Sequence, residues 1–217
     1  MSHPVVVIGA GGHAKVLIDI LVLGGIQVLG VTDPNTDRAG EMLSGVSILG
    51  SDQALMEFEP ESLRLVNGIG STADTRLRQS VFEHLTDKGY RFDVAVHPKA
   101  IVAQEVMLGE GAQVMAGAII QPGVRVGVNC IINTGAVVDH DCVIGDHVHV
   151  APGAVLSGNV SIGDGSHIGC GGTVMQSIQI GAGSVIGAGA VVTMNVDDED
   201  TVTGVPARSL DRRKEAE

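Results

Sequence analysis

The sequence predicts a small α/β domain, a half-Rossmann unit over residues 1–96, followed by a parallel β-helix of hexapeptide repeats over 97–196 and a C-terminal tail over 197–217. Three observations carry this. Every sixth residue from Val102 to Val192 is Val, Ile or Leu, a period that fits neither a helix nor a long strand. The fourth residue after each of these anchors is nearly always small or β-branched, as at Ala112, Ala118, Cys130, Ala136 and Cys142. The amino-terminal text runs strand, glycine-rich turn, helix.

Residues 4 to 10, PVVVIGA, form a short β-branched run ending in glycine, as a buried parallel strand does. In the following GGHAKVLIDIL, apolar Val16, Leu17, Ile20 and Leu21 have helical spacing. Backbone N–H groups bared by Gly9, Gly11 and Gly12 at a helix N-terminus suit a phosphate. The fit to G-x-G-x-x-G is loose, because Ala14 stands where the third glycine belongs, and the same turn would serve any α/β domain. A second strand, Gln27 to Thr32, ends at Asp33, about twenty residues after the glycine turn, where Rossmann-type units hydrogen-bond a ribose or base. Asp33-Pro34 also suits a plain turn. Leu63 to Ile69 reads as a third strand leading into Gly68-Ile69-Gly70-Ser71, and Thr75 to Leu85 as an amphipathic helix. The region has room for one nucleotide and not for a full dinucleotide fold.

From His97-Pro98 the text changes, and the chain turns a corner every hexad. Three hexads close a triangular coil of roughly 18 residues, so residues one coil apart stack. Val102, Ile120, Val138, Leu156, Val174 and Val192 then form one buried ladder, and the series through Leu108 and Val114 form two more. No insertion interrupts the coils. The hexads end near Thr193, before the acidic turn Asp197-Asp198-Glu199-Asp200, and the final RRKEAE is charged.

The chain has 217 residues, 44% of them hydrophobic, with no apolar run of membrane-spanning length and no amino-terminal signal pattern, so a soluble, cytoplasmic protein is expected. Three cysteines without CxxC spacing suit a reducing compartment and exclude the commonest metal frameworks. A formal net charge of −12 argues against a nucleic-acid partner. Between Val102 and Val192 Arg125 is the single Lys or Arg. Other cations lie outside this stretch, among them Lys15, Arg76, Arg78 and the group Arg208, Arg212, Arg213 and Lys214.

Asp139-His140-Asp141 places an imidazole between two carboxylates on a rigid coil, where a neighbouring carboxylate can hold one ring nitrogen and raise the basicity of the other. A solvated corner histidine would look the same. His147, His149 and His167 pose the same choice. His149 and His167, one coil apart, stack and line a groove or decorate a corner. Cys142 belongs to the interior series, so no thiol nucleophile is expected.

The hexads, the segment INTGAVVDHDCVIGDHVHVAPGAVLSGNVSIG, the terminal GVPAR and the amino-terminal VVVIGAGGHAK together resemble the family of sialic-acid O-acetyltransferases and nucleotide-linked amino-sugar N-acetyltransferases, over almost the whole chain. The resemblance implies a left-handed β-helix, although crossovers in general favour the opposite hand. It implies a homotrimer with sites in the grooves between prisms, acetyl-CoA along the coils as co-substrate without a metal, and a nucleotide sugar on the N-terminal domain. By the match His140 is the general base and Asp141 increases its basicity. His149 is the histidine near the thioester, with Ala151 and Gly153 of the HVAPGA segment, His167 and Arg208 also expected at acetyl-CoA. Gly11, Gly12, His13, Asp33 and Gly70 match nucleotide-sugar positions. Some members carry two acidic residues after the second strand, whereas here Pro34 follows Asp33.

The activity implied is N-acetylation of a nucleotide-linked 4-amino-4,6-dideoxy sugar, UDP-, dTDP- or GDP-linked and including perosamine-type sugars, for a surface glycan. Backbone N–H groups of the coils would hold the oxyanion. Sialic-acid O-acetylation and a non-catalytic trimeric scaffold are the alternatives.

Overall fold

The computed structural model describes residues 3–210. Strand β1, Val5–Ile8, is buried along its whole length, as a strand covered on both faces must be. Helix α1, Gly12–Leu23, follows it. With β2 (Val28–Thr32), β3 (Met42–Leu43), β4 (Val46–Gly50) and β5 (Arg64–Asn67), β1 makes a sheet of order β3-β4-β2-β1-β5. Its pairs are parallel apart from the β3–β4 hairpin. Val5 and Val7 pack in one cluster with α1, while Val6 and Ile8 pack in another with Phe82 and Leu85 of helix α2, Arg76–Asp87.

The expected elements are all present, with three adjustments. Strand β5 is shorter than Leu63 to Ile69, because Gly68 already turns to donate its N–H to Ile8 O. Helix α2 covers 76–87 rather than 75–85. The buried stripe of α1 is Ala14, Leu17, Ile18, Ile20 and Leu21. Val16, expected inside, is 43% exposed, because the stripe passes through Ile18 instead.

The hexads form the expected prism. One parallel sheet stacks Ile101–Val102, Ile119–Ile120, Val137–Val138, Val155–Leu156, Thr173–Val174 and Val191–Val192, in register at 18-residue steps. The second sheet runs from Met107–Leu108 to Gln179–Ile180 and the third through Gln113–Val114, Ile131–Ile132, His149–Val150 and His167–Ile168. The anchors from Val114 onward are buried, each contributing about 1.5–3 kcal/mol by transfer from water. Val102 and Leu108, at the open end, are half-buried. From Gly111 to Gly189 the corner residue at every sixth position has positive φ. Glycine fills most of these places; Asp141 (φ 60) and His147 (φ 59) are among those it does not, with Asn129, Asn159 and Ser177, so their side chains are kept at a conformational cost of about 1–2 kcal/mol each.

The third sheet outruns the hexad text. It begins at Ala95–Val96 and continues through Thr201–Thr203 and the antiparallel Arg208–Ser209. Arg212, Arg213 and Lys214 lie outside the described residues. No helix among the described residues is long and apolar enough to cross a membrane.

The α/β domain docks on this third sheet through a buried polar network. His13 Nε2–H donates to Gln113 Oε1 (2.7 Å) and Gln113 Nε2 donates to Asn67 O (2.8 Å). Arg78, fully buried, donates to Asn67 O (2.8 Å), Ile69 O (2.7 Å) and Asn129 O (3.2 Å). Burial, with no carboxylate beside it among the described residues, pushes its guanidinium down to about 9.

Candidate active site

His140 and Asp141 occupy the corner between a first-sheet strand, Val137–Val138, and a second-sheet strand, Val143–Ile144. The left-handed turn at Asp141 brings its carboxylate back to the preceding ring, and His140 Nδ1 meets Asp141 Oδ2 at 2.9 Å. Asp139 Oδ1 accepts the His140 backbone N–H at 2.8 Å. The hydrogen bond to Asp141, then the charge of Asp139, raises the His140 pKa. The side chain is 60% exposed, so a substrate proton can reach the ring.

A second group of expected residues gathers where the loop after β5 crosses the third sheet. A cavity of about 740 Å³ is lined by Gly11, Gly12, His13, Gly70, Ser71 and His149, among others. Gly11 caps α1 with no side-chain hydrogen bond, leaving the first-turn N–H groups free for an anion. An adjoining cavity of about 540 Å³ shares Ser71, Asn133 and His149 and adds Ala151, His167 and Cys170. Its lining is largely apolar and small, including Pro152, Val185, Ile186 and Ala188.

His149 joins the two cavities and is pinned in one tautomer. Its Nδ1 lies 3.1 Å from Ser71 O, which can only accept, and its Nε2 lies 2.9 Å from Asn133 Nδ2, which can only donate. Ser71 Oγ adds a contact at 2.8 Å. Burial, then the neighbouring His167, lowers its pKa to about 3, and the two rings meet edge to face at 4.9 Å. Burial thus holds the His149 ring neutral. His13 is likewise held neutral, at about 4, by burial and then by the charge of Arg78.

Not every expected residue comes to these cavities. Asp33 lies outside the lining of both, with its carboxylate accepting from Asn35 N–H (2.8 Å) and paired with Arg38. Gly153 sits one residue beyond the lining. Arg208 borders a separate cavity at the end of the prism, with Val192 and Val202. His140 and Asp141 line neither cavity. In one copy of the chain the His140–Asp141 pair and the two cavities therefore stand apart. Ser71, Asn133, Gln113 and Arg78 were not among the expected residues. Gln113 had a signal, since it stands two coils before His149 on the same outward stack.

A family model described as the PglD N-terminal domain matches residues 4–85, and one described as the bacterial transferase hexapeptide (six repeats) matches 141–174. The perosamine N-acetyltransferase of Caulobacter crescentus, solved as a variant with CoA and GDP-perosamine, is 41% identical, with 95% of this chain and 96% of that one covered and a TM-score of 0.89. The chain belongs to the hexapeptide-repeat nucleotide-sugar acetyltransferases. Two further members of this acetyltransferase family compare closely. The acetyltransferase domain of PglB from Neisseria gonorrhoeae FA1090, in complex with acetyl coenzyme A, is 35% identical over 97% of this chain and 100% of that one, with a TM-score of 0.88. WeeI from Acinetobacter baumannii AYE is 28% identical over 96% and 100%, with a TM-score of 0.86. In the family fold the prism is left-handed. The chain spans only 21% of the length of an uncharacterised protein of Acanthamoeba polyphaga mimivirus, to which 114 of its residues are 30% identical.

The buried neutral histidines of this acetyltransferase make its stability depend on acid. His13 and His149 titrate near 6.5 when unfolded and near 4 and 3 when folded. Below about pH 6.5 the unfolded chain therefore binds more protons, and stability falls as pH decreases through that window toward 4 and then 3. Thermal melts should show Tm constant from these groups above pH 7 and dropping below pH 6. Replacing His13 with Gln should flatten the slope; an unchanged slope in that variant would show that His13 is not held neutral.

Proposed function

We propose that this protein transfers acetyl from acetyl-CoA to the 4-amino group of a nucleotide-linked 4-amino-4,6-dideoxy sugar of the perosamine type, with GDP-perosamine as the first substrate to test. The observation that carries this is the nearly full-length similarity, at 41% identity, to an enzyme that holds CoA and GDP-perosamine. The nucleotide sugar sits in the larger cavity, its phosphates toward the bare N-terminus of α1 at Gly11 and Gly12 and its sugar toward Gly70. The small, apolar lining of the adjoining cavity suits the pantetheine arm, with Ala151 and His167 beside it. Asp33 acts from the edge by orienting Arg38, and Arg208 serves the CoA phosphates.

The assembly is a homotrimer. Ile101, Ile119, Val137, Val155 and Val191, with Thr173 between the last two, form a mainly apolar stripe on the outer side of the first sheet, partly or largely exposed in one copy, and burying it against a neighbour removes that surface from water. The His140 corner bounds one edge of this sheet. The corners with Ala151, Cys170 and Ala188 bound the other. A rotational contact joins unlike edges, so His140 of one copy meets the cavity of the next.

At that junction His140 takes the proton of the amine as its nitrogen attacks the thioester carbonyl. The C–N bond forms, the C–S bond breaks, and the proton passes to the CoA thiolate. Three free cysteines fit action in the cytoplasm. Because Asp141 raises the His140 pKa, the ring stays protonated, and idle as a base, to higher pH than an isolated histidine would. Asp141→Asn should therefore move the acidic limb of the kcat profile to lower pH while lowering kcat less than loss of His140 does. A limb that stays in place or moves upward would separate Asp141 from the base.

A further inference from the structure

The corner position that carries His140 recurs every coil. Gln104, Pro122, Gln176 and Met194 occupy it elsewhere, so the fold tolerates side chains there. Only the position one coil after His140 is glycine, Gly158. Its φ lies outside the left-handed region, so the turn does not demand glycine. A methyl group at 158 would lie 2.6 Å from both Cε1 and Nε2 of His140 and 3.3 Å from Cδ2, and these ring atoms are its three nearest neighbours. Other corner glycines, such as Gly109 and Gly169, would instead press a side chain onto the backbone of the next coil.

We infer that Gly158 is a positioning residue for catalysis: its missing side chain gives the His140 imidazole a flat seat on the coil, with Nδ1 on Asp141. The carboxylates facing the ring are Asp139 and Asp141, both on its own corner. Gln, Ala or Ser at 158 would fit the fold as side chains do at 122 and 176, but would push the ring off this seat. The inference rests on the reading of His140 as the base.

The test is Gly158→Ala in the full-length protein. Tm should stay within a few degrees, because the atom displaced is the end of a mobile side chain and not backbone. The kcat for GDP-perosamine should fall about 10- to 100-fold, as for partial loss of a general base, with both KM values within about twofold. The His140 imidazole, followed by NMR titration, should titrate at lower pH than in the parent, because the displaced ring loses its bond to Asp141. Unchanged kcat and titration would overturn the inference. So would a fall in kcat with the titration unmoved, since the methyl would then act on substrate and not on the ring. Near-full kcat in His140→Ala would instead defeat the reading of His140 as base, while the titration would still report whether position 158 seats the ring.

Discussion

His140→Ala is expected to lower kcat by roughly 10²-fold or more at pH 7, with the KM of each substrate little changed. Among the described residues the ring makes no hydrogen bond beyond its own corner, and it stands 60% exposed, so the loss falls on proton transfer and not on the fold. A sugar amine is partly protonated near neutral pH and must shed a proton before or during attack. Raising the pH supplies more free amine, so the variant should recover part of its rate in alkaline assays. A hydroxyl acceptor, whose pKa is far higher, would gain no such rescue. Near-full kcat at pH 7 would remove His140 from the mechanism.

Mixing two dead variants should restore activity. His140→Ala spoils one edge of the first sheet, and Cys170→Trp, at an exposed position lining the smaller cavity, fills the other. In randomly assembled trimers a site with both parts intact needs the cavity variant on one side and the His140 variant on the other. That arises in about one quarter of sites. Co-expressed chains should accordingly show about a quarter of parental kcat per site, against almost none for either variant alone. Absence of complementation in verified mixed trimers would place both halves on one copy.

Much of this arrangement was legible because a six-residue period is a strong constraint. Val114 and the fifteen-step ladder of aliphatics above and below it can only be buried together in a prism, and the strand, glycine turn and helix from Val5 to Leu23 follow from local chemistry. The docking of the two domains was not. The repeat marks the outward positions Gln113, Ile131, His149 and His167 as solvent-facing, yet all four are buried, and the α/β domain bonds directly to Gln113 and His149. Arg78 looks like a surface cation on an amphipathic helix, and only the carbonyls of Asn67, Ile69 and Asn129, distant in sequence, make its burial tolerable. The strands Thr201–Thr203 and Arg208–Ser209 lack the hexad text because they close the end of a ladder already in place. Of the candidate site, the His140–Asp141 pair is local and therefore readable. Ser71 and Asn133, which fix His149, meet only through the tertiary fold.

The most direct measurement is the product formed from acetyl-CoA and GDP-perosamine, followed by CoA release and by mass spectrometry before and after mild alkali. One acetyl group on the nucleotide sugar that survives alkali, with free sugar a poor acceptor, is the predicted result, since an amide resists such treatment. An alkali-labile acetyl group, or transfer only to a free sugar, would contradict N-acetylation of a nucleotide-linked amine.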